Sequence, residues 1–279
     1  MEDANAIYTL ALKYYNENNI PEAIKHFKAA IEKGHDASMY NLGYIYTNEQ
    51  ECKNIPEAIK YYKMAVEIGH NISMRILGYL YANEQECLNI PEAIKYYKMA
   101  CDAGDVIAMN NLGMLYKNTN DIPNAIKYLK AAIEKGHNIS MYNLGDLYAN
   151  KQKYKNIPMA IKYYKMAIEK GHNISMRNLG YLYAHEQECL NIPEAIKYYE
   201  MAIKHGNTSC IEHLYVCASK YPEQYVKEQL KLKAKYDELV TINKTLEDKI
   251  TEIEYEPGGD GYLCAKEHFD NLVGEINKK

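Results

Sequence analysis

One twelve-residue segment, NIPEAIKYYKMA, appears twice without change, at residues 54–65 and 89–100. Near copies occupy four further stretches, at residues 19–30, 121–132, 156–167 and 191–202. The proline of this motif recurs at intervals of 35, 35, 32, 35 and 35 residues. A fixed period in this range indicates small supersecondary units that bury their apolar faces only by stacking on one another.

The second helix of a repeat is predicted over residues 54–68. Asn54 is a favourable N-cap, and Glu57 three residues later predicts a capping box. Pro56 falls in the first turn, where its missing N–H costs no hydrogen bond. Gly69 is expected to end the helix in the left-handed conformation.

The first helix of the following repeat is predicted over residues 71–82. Four residues share one side of the helical wheel and form the expected buried stripe, namely Ser73, Leu77, Leu80 and Tyr81. Gly78 in the middle of this helix costs roughly 1 kcal/mol relative to alanine. Because a glycine recurs at this position in five copies, we expect a neighbouring helix to approach closely there.

The loops between the two helices of a repeat follow their own pattern. From the tyrosine that ends the first helix to the motif proline, the chain advances 7 residues, then 10 and 10, and this order then repeats. Residues 19–100 also align without gaps to residues 121–202. A duplicated block of three repeats explains both observations, so near-identity between copies is weak evidence of function.

Together these patterns predict an all-α fold, a right-handed α-solenoid of stacked helix-turn-helix repeats with a C-terminal capping helix. Six helix pairs and a seventh first helix are expected over residues 4–221. A long helix is predicted over residues 222–256, and a Gly-rich turn with a short amphipathic helix over residues 257–279. A terminal repeat of altered sequence allows a solenoid to stop stacking.

The long C-terminal helix has two candidate roles. Its apolar residues follow a heptad spacing with the single polar Asn243, which favours a homodimeric coiled coil over residues 225–253. Val240 and Ile242 widen the apolar face, which favours packing on the last repeat as a cap. The cap is the preferred interpretation, and homodimerisation is the alternative.

The repeats resemble the Sel-one-like repeat (SLR) family, a relative of the tetratricopeptide repeat. The resemblance rests on S/A-x-x-x-L-G-x-L-Y in the first helix and A-I-K-Y-Y-K-M-A-x-x-x-G in the second, over residues 4–219. It implies a tetratricopeptide-like α-solenoid that serves as an adaptor or scaffold for other proteins. The glycine-containing loop common in the family is replaced here by NEQEC-type or NTN-type sequence.

A second resemblance concerns the origin of the chain. Abundant Asn, Ile, Lys and Tyr, the absence of Trp and the C-terminal sequence PGGDGYLCAKEHFDNL resemble repeat proteins of giant DNA viruses of amoebae. An AT-rich protist or bacterial genome would produce the same bias in composition.

Charge and hydropathy argue against several classes of partner. The net charge of -4 and the pI near 6.2 indicate no basic surface for nucleic acid. The sequence contains no run of about 18 apolar residues, so no membrane span is expected. The N-terminus lacks the order of a signal peptide, which predicts a cytoplasmic protein, in the host cytoplasm if it is viral. Seven cysteines without C-x-x-C pairs are expected to be reduced structural thiols.

The sequence contains no recognisable catalytic pattern. His185 and Glu186 lack the second histidine of a zinc protease motif, and PGGDG at residues 257–261 lacks the Gly-Lys-Ser/Thr of a phosphate-binding loop. Four histidines that follow helix-ending glycines are expected to be turn residues rather than metal ligands, namely His35, His70, His137 and His172. We therefore expect no catalytic residues, no cofactor and no metal.

A partner-binding surface is the stronger hypothesis. In solenoids of this type the first helices line an extended concave surface suited to peptides. Tyrosine and arginine, which dominate binding hot spots, recur at the outward positions of these helices. The candidate residues are Tyr40, Tyr44, Arg75, Tyr79, Asn110, Met114, Tyr142, Asp146, Arg177 and Tyr181. The alternative is that the tyrosines pack between helices and that the arginines are merely solvated.

The sequence thus favours a non-catalytic scaffold or adaptor that binds a protein or peptide partner on the concave surface. The main alternative is a structural protein that self-assembles through the C-terminal heptad helix. A weak hydrolase is less favoured, and it is considered because a few members of the family that the repeats resemble have been linked to such activity.

Overall fold

The computed structural model describes residues 3–219 and five positions in the segment that follows, namely 238, 240–242 and 244. Those five positions are helical. Within residues 3–219 every regular element is an α-helix or a short 3-10 segment, which confirms the predicted all-α class. The predicted capping helix, the dimerisation segment 225–253 and the final amphipathic helix lie outside the described residues, apart from those five positions.

Two compact units divide the chain, Met1–Ser175 and Met176–Lys279. Ten helices belong to the first unit: α1 (Ala4–Asn16), α2 (Ile20–Glu32), α3 (Ala37–Asn48), α4 (Ile55–Glu67), α5 (Asn71–Asn83), α6 (Ile90–Asp102), α7 (Val106–Asn118), α8 (Ile122–Glu134), α9 (Asn138–Asn150) and α10 (Ile157–Glu169). The remaining described helices are α11 (Asn173–His185), α12 (Ile192–Lys204) and α13 (Ile211–Ser219). The predicted domain boundaries stay predictions.

Five 3-10 segments complete the described elements: Gln50–Cys52, Gln85–Cys87, Gln152–Tyr154, Gln187–Cys189 and Thr208–Cys210. In the first unit each odd-numbered helix packs against the even-numbered helix that follows it, and successive pairs stack. Helix α5 also contacts α7, and α7 contacts α9, so first helices of neighbouring repeats lie side by side. This is the stacked helix-pair arrangement that the 35-residue period predicts.

The predicted asparagine N-cap and left-handed glycine at the ends of the second helix are confirmed. The Asn54 side chain accepts a hydrogen bond from the Glu57 N–H at 3.0 Å, and Gly69 has a φ of 86°. The reciprocal half of the predicted capping box is wrong. The Asn54 N–H instead donates to the Tyr46 carbonyl at 2.8 Å, and the Glu57 carboxylate lies 3.4 Å from the Lys60 ammonium. The loop brings a backbone acceptor to Asn54, so the carboxylate is not needed there.

The same backbone bond closes both lengths of loop. In the short loop the Asn19 N–H donates to the Tyr14 carbonyl at 2.8 Å, and in a long loop the Asn89 N–H donates to the Tyr81 carbonyl at 2.8 Å. The short loop reaches this geometry with Asn18 at a φ of 58°, whereas the long loop adds the 3-10 segment Gln85–Cys87. The three extra residues are therefore absorbed without changing how the two helices meet.

Close packing explains the glycine in the middle of five first helices, α3, α5, α7, α9 and α11. A Cβ atom on Gly78 would lie 2.5 Å from Cδ1 of Tyr97, so only glycine allows the ring to sit there. The predicted close approach is confirmed, and the predicted stripe of Ser73, Leu77, Leu80 and Tyr81 is buried. Equivalent pairs of a glycine and a buried side chain are Gly43–Tyr62, Gly113–Leu129, Gly145–Tyr164 and, in the second unit, Gly180–Tyr199.

A second set of tyrosines forms stacked pairs between the two helices of five repeats, those that begin with α3, α5, α7, α9 and α11. Their ring centroids lie 5.7–6.0 Å apart, and their planes differ by 17° or less. The pairs are Tyr46–Tyr61, Tyr81–Tyr96, Tyr116–Tyr128, Tyr148–Tyr163 and Tyr183–Tyr198. These ten tyrosines therefore hold helix pairs together and do not contribute to the candidate surface.

Candidate functional site: the first-helix face

The outward positions of α1, α3, α5, α7 and α9 form a surface that we call the first-helix face. The predicted site residues of the first unit fall on two rows of it. The inner row contains Tyr40, Arg75, Asn110 and Tyr142, preceded by Tyr8 on α1, and the outer row contains Tyr44, Tyr79, Met114 and Asp146, preceded by Leu12. The two rows differ in exposure, which separates framework residues from candidate contact residues.

The tyrosines of the inner row pack against histidines of the following turn. The centroids of Tyr8 and His35 are 4.0 Å apart in a stacked arrangement. The other two pairs are Tyr40–His70 at 4.9 Å and Tyr142–His172 at 4.6 Å. For Tyr142 and Tyr8 the structure thus matches the alternative interpretation, in which tyrosines pack between helices. Tyr40 packs in the same way but also lines a cleft, described below.

The charged residues of the face are paired between consecutive first helices. Arg75 Nε lies 2.8 Å from Asp105 Oδ2, and Asp105 Oδ1 accepts a hydrogen bond from the Ala108 N–H at 2.9 Å. Arg75 is therefore tied to the N-cap of α7 rather than merely solvated. Lys117 Nζ lies 2.6 Å from Asp146 Oδ2 in the same manner. These pairs leave the centre of the face close to electrically neutral.

Asn110 lies beneath the face rather than on it. Its residual exposure is 9%, and its Oδ1 atom accepts hydrogen bonds from Ser140 Oγ at 2.9 Å and from Asn143 Nδ2 at 2.8 Å. Asn41 is similarly engaged, because its Nδ2 atom donates to the Tyr8 hydroxyl at 3.1 Å. The asparagines of the first helices thus link neighbouring repeats.

Two outer-row tyrosines of the first unit remain open to solvent. Tyr44 is 41% exposed and Tyr79 is 52% exposed, while Met114 is half-buried. Tyrosine is enriched in binding hot spots, so these two exposed rings are candidate contact residues. In the second unit, Tyr181 is exposed as well and stacks on His185 with centroids 4.3 Å apart. Arg177, also in that unit, contacts Asn178.

A cleft of about 300 Å³ opens between α1 and α3 at one end of the first-helix face. Phe27 and Ile45 line it together with Leu12, Tyr15, Tyr40, Asn41 and Tyr44. Phe27 and Ile45 are buried, so they form an apolar floor under the aromatic rim. The volume suits one large apolar side chain.

Tyr15, at the rim of this cleft, is not among the site residues that the sequence predicts. Its hydroxyl donates a hydrogen bond to Glu49 Oε1 at 2.9 Å. This hydrogen bond to the carboxylate, with a smaller contribution from burial, raises the pKa of Tyr15 to about 12. The hydroxyl therefore stays protonated at neutral pH and fixes the ring at the rim. The partners are 34 residues apart, so no local sequence signal identifies them.

Two of the histidines between helices, His70 and His137, cap the first helices that follow them. His70 Nδ1 accepts a hydrogen bond from the Ser73 N–H at 3.3 Å and lies 2.8 Å from Ser73 Oγ. His137 makes the same contacts with Ser140. Because Nδ1 is the acceptor of an N–H, it carries no proton in this arrangement. The predicted role as turn residues is confirmed, and helix capping is its physical basis.

These caps predict a loss of stability in mild acid. Burial lowers the pKa of His70, His137 and His172 in the folded state. The unfolded chain, with a histidine pKa of about 6.5, then binds more protons as the pH falls. Stability is thus fully present above about pH 6.5 and decreases as the pH falls below that value. We expect the urea midpoint of unfolding to be lower at pH 5.5 than at pH 7.5.

The repeat built on Asp105 offers a matched control for this prediction. There an aspartate caps the helix, and Ala108 replaces the serine. The double substitution His70→Asp and Ser73→Ala copies this natural arrangement, so it should retain the cap and reduce the acid sensitivity. Equal midpoint shifts in the wild type and this variant would show that the histidine caps are not the cause.

The cysteines and histidines of the described residues do not come together as a set of metal ligands. No group of three or more His, Cys, Asp or Glu side chains is placed there to hold a metal ion. The six cysteines at described positions are thiols, and burial raises the pKa of Cys101 to about 12. Among the described helices, none combines the length and apolar character needed to cross a membrane.

Two family models match the repeats. The Sel1 repeat model matches residues 72–105, 106–137, 138–172 and 173–207, and a tetratricopeptide repeat model matches residues 8–71. The chain is therefore a repeat protein of the Sel1-like and tetratricopeptide-like class, as the sequence resemblance predicts. Proteins of this class generally act as protein-interaction scaffolds. No curated protein matches the chain.

Several solved structures share the fold. A protective antigen of uropathogenic Escherichia coli with an SLR fold aligns with a TM-score of 0.63 and 22% identity. The alignment covers 85% of this chain but only 53% of that protein. A Sel1 repeat protein from Oxalobacter formigenes aligns with a TM-score of 0.56 and 24% identity, covering 83% of this chain and 99% of that one.

A third structure, the C-terminal part of a tetratricopeptide repeat protein from Cytophaga hutchinsonii, aligns with a TM-score of 0.60 and 18% identity, covering 76% of this chain and 88% of that one. Similarity at this level of identity establishes the stacked helix-pair fold alone. The comparisons do not support the resemblance to giant-virus proteins.

Proposed function

We propose that this protein is a non-catalytic scaffold that binds a segment of a partner protein on the first-helix face of its first unit. The cleft between α1 and α3 carries the proposal, because it combines an apolar floor, an aromatic rim and an adjoining exposed tyrosine. The general scaffold role of Sel1-like and tetratricopeptide-like repeat proteins supports it.

The partner segment would insert one large apolar side chain into the cleft. Phe27 and Ile45 then bury its end, and the rings of Tyr40 and Tyr44 flank it. Such an insertion places an aromatic pair around a desolvated anchor, which is the usual arrangement of a binding hot spot.

Beyond the cleft the segment would continue along the outer row. Tyr79 on α5 offers an exposed ring, and Met114 on α7 offers a thioether that adapts to different shapes. Because Arg75 and Asp146 are paired with neighbouring residues, selectivity along this stretch comes from shape and aromatic contact more than from charge. The proposed contact residues are therefore Tyr40, Tyr44, Tyr79 and Met114, while Arg75, Asn110, Tyr142 and Asp146 form the supporting framework.

The proposal is tested by capture of partners from native cell extract. The test variant carries Tyr44→Ala and Tyr79→Ala, which remove exposed rings without breaking an ion pair. The control variant carries Leu88→Ala and Leu190→Ala, which remove exposed apolar side chains on loops between helices. Mass spectrometry of the captured proteins should show a partner retained by the control and lost, by about tenfold or more, with the tyrosine variant.

Circular dichroism must show that both variants remain folded. Equal capture by the two variants would place binding elsewhere and contradict the proposal. The non-catalytic part is tested separately, because turnover of generic ester or β-lactam substrates by the purified protein would contradict it.

A further inference from the structure

A third row of repeat positions lies in the first turns of α5, α7 and α9 on the first-helix face and extends to the start of α11. Ile72, Ile107, Ile139 and Ile174 occupy the same position in the first turn of successive first helices. All four belong to the first unit, and each side chain is 43–47% exposed. Ile72 precedes Tyr79 by seven residues, so both lie on one stripe of α5. Single exposed isoleucines need no explanation, but an apolar row repeated four times does.

The second helices of the first unit end in carboxylates, which are unfavourably placed relative to the helix dipole. Helices α2, α4, α6, α8 and α10 end with Glu32, Glu67, Asp102, Glu134 and Glu169, all exposed, and none has a basic residue in its last turn. A carboxylate at a helix C-terminus meets the negative end of the helix dipole and costs about 0.3–1 kcal/mol. The interaction of these five residues with the helix dipole therefore does not favour helix stability.

No basic residue directly follows Glu67 or Asp102, whereas Lys33, Lys135 and Lys170 directly follow the other three carboxylates. Among the described residues, the first-turn glutamates Glu22, Glu57 and Glu92 of these helices form ion pairs. The five carboxylates at the helix ends do not take part in the described ion pairs. Across the turn, Glu67 and Ile72 are five residues apart, as are Asp102 and Ile107. Each of these two turns therefore presents one exposed carboxylate and one exposed isoleucine within a short connection between helices.

We infer that this edge of the first-helix face binds a basic amphipathic segment of the partner. The inference rests on the proposed function and adds the chemistry of the partner. Apolar side chains of the segment would cover Ile72 and Ile107, and its Lys or Arg side chains would meet Glu67 and Asp102. Charge complementarity of this kind speeds association and selects the partner.

The two central turns are the most selective part of the edge. Residues 67–72 and 102–107 contain no lysine or arginine, and Ile68 adds a further exposed apolar side chain. In the turns after α8 and α10, Lys135 and Lys170 directly follow the carboxylate.

A second copy of the chain is a poor occupant of this edge, since two acidic edges repel each other.

A defined peptide tests the inference with purified full-length protein. The probe is a fluorescein-labelled helical peptide of leucine and lysine, LKKLLKLLKKLLKL, and the control peptide has glutamate in place of each lysine. Fluorescence anisotropy should show binding of the lysine peptide only, weakened by added salt. Methyl spectra of isoleucine-labelled protein should show shifts at Ile72 and Ile107 but not at the buried Ile55 and Ile122.

Matched variants separate the edge from general attraction to an acidic protein. Glu67→Lys with Asp102→Lys should weaken peptide binding by about tenfold or more. Glu51→Lys with Glu86→Lys makes the same charge change at exposed positions of the 3-10 segments and should leave affinity within about twofold.

Ile72→Ser with Ile107→Ser should also weaken binding, at both low and high salt. Equal weakening by the two charge-reversal variants, or no effect of the isoleucine variant, would overturn the inference. So would self-association of the wild type that Glu67→Lys with Asp102→Lys abolishes, because a second copy would then be the occupant. If the edge fails in this way while the Tyr44 and Tyr79 variant still loses its partner, the proposed function stands and only the partner chemistry is wrong.

Discussion

Gly78→Ala is expected to destabilise the first unit by about 2–3 kcal/mol, because overpacking a closed core costs that much. The new Cβ would lie 2.5 Å from Cδ1 and 2.7 Å from Cγ of Tyr97. The Tyr97 ring is only 2% exposed, so it has little room to move away. Intrinsic helix propensity alone predicts the opposite sign, a gain of about 1 kcal/mol. The clash is the larger of the two effects.

The experiment compares urea unfolding, followed by circular dichroism at 222 nm, in two backgrounds. In the wild-type background Gly78→Ala should lower the midpoint. In a Tyr97→Ala background the same substitution should cost nothing or raise the midpoint, because the clashing ring is gone. A similar cost in both backgrounds would show that the close approach of Tyr97 is not the reason for the glycine.

Tyr62→Ala should cost about 3–5 kcal/mol, since it leaves a cavity under a fully buried aromatic ring. Tyr62 has no exposed surface, and its ring packs under Gly43 and against Tyr40 at a centroid distance of 6.1 Å. Tyr40 also lines the cleft, so loss of its support should weaken partner capture as well. Both changes follow from one packing contact.

Tyr62→Phe is the control for the hydroxyl group. It removes only a hydrogen bond with Thr47 Oγ at 3.4 Å, so its cost should be within about 1 kcal/mol. Phe27 fills the equivalent position in the first repeat, which indicates that the hydroxyl is dispensable. Urea unfolding of both variants measures the loss in the free energy of unfolding that each substitution causes. A phenylalanine variant as unstable as the alanine variant would contradict the cavity explanation.

The sequence predicts the repeat architecture because period and cap chemistry are local. Asn54, Gly69 and Gly78 behave as predicted, since each acts within a few residues or at a contact that recurs in five repeats. The capping box fails because its competitor, the Tyr46 carbonyl, comes from the preceding helix. A pattern within one helix does not contain that information.

The site is predicted less well because tyrosine serves four different positions in this chain. Tyr62 lies under a glycine, Tyr61 stacks in a pair, Tyr40 packs on a histidine and Tyr79 is exposed. Residue type alone does not separate these roles. Contacts between repeats, such as Arg75 with Asp105 30 residues later, depend on how far one repeat is offset from the next.

The isoleucine row also could not be assigned from the sequence, because its spacing does not show whether the side chains are buried or exposed. Its spacing is visible in the sequence at Ile72, Ile107, Ile139 and Ile174. Isoleucine is among the residues most often buried, so the pattern by itself suggests core positions. Only the stacking of the helices leaves these four side chains at the surface.

Site-specific photo-crosslinking tests the central claim, binding on the first-helix face, most directly. A benzophenone amino acid would replace Tyr44 or Tyr79, and Leu88 would serve as the exposed control position. We predict that irradiation of native extract yields the same partner adduct from positions 44 and 79 and none from position 88. Adducts formed equally from position 88, or formed there alone, would contradict binding on this face.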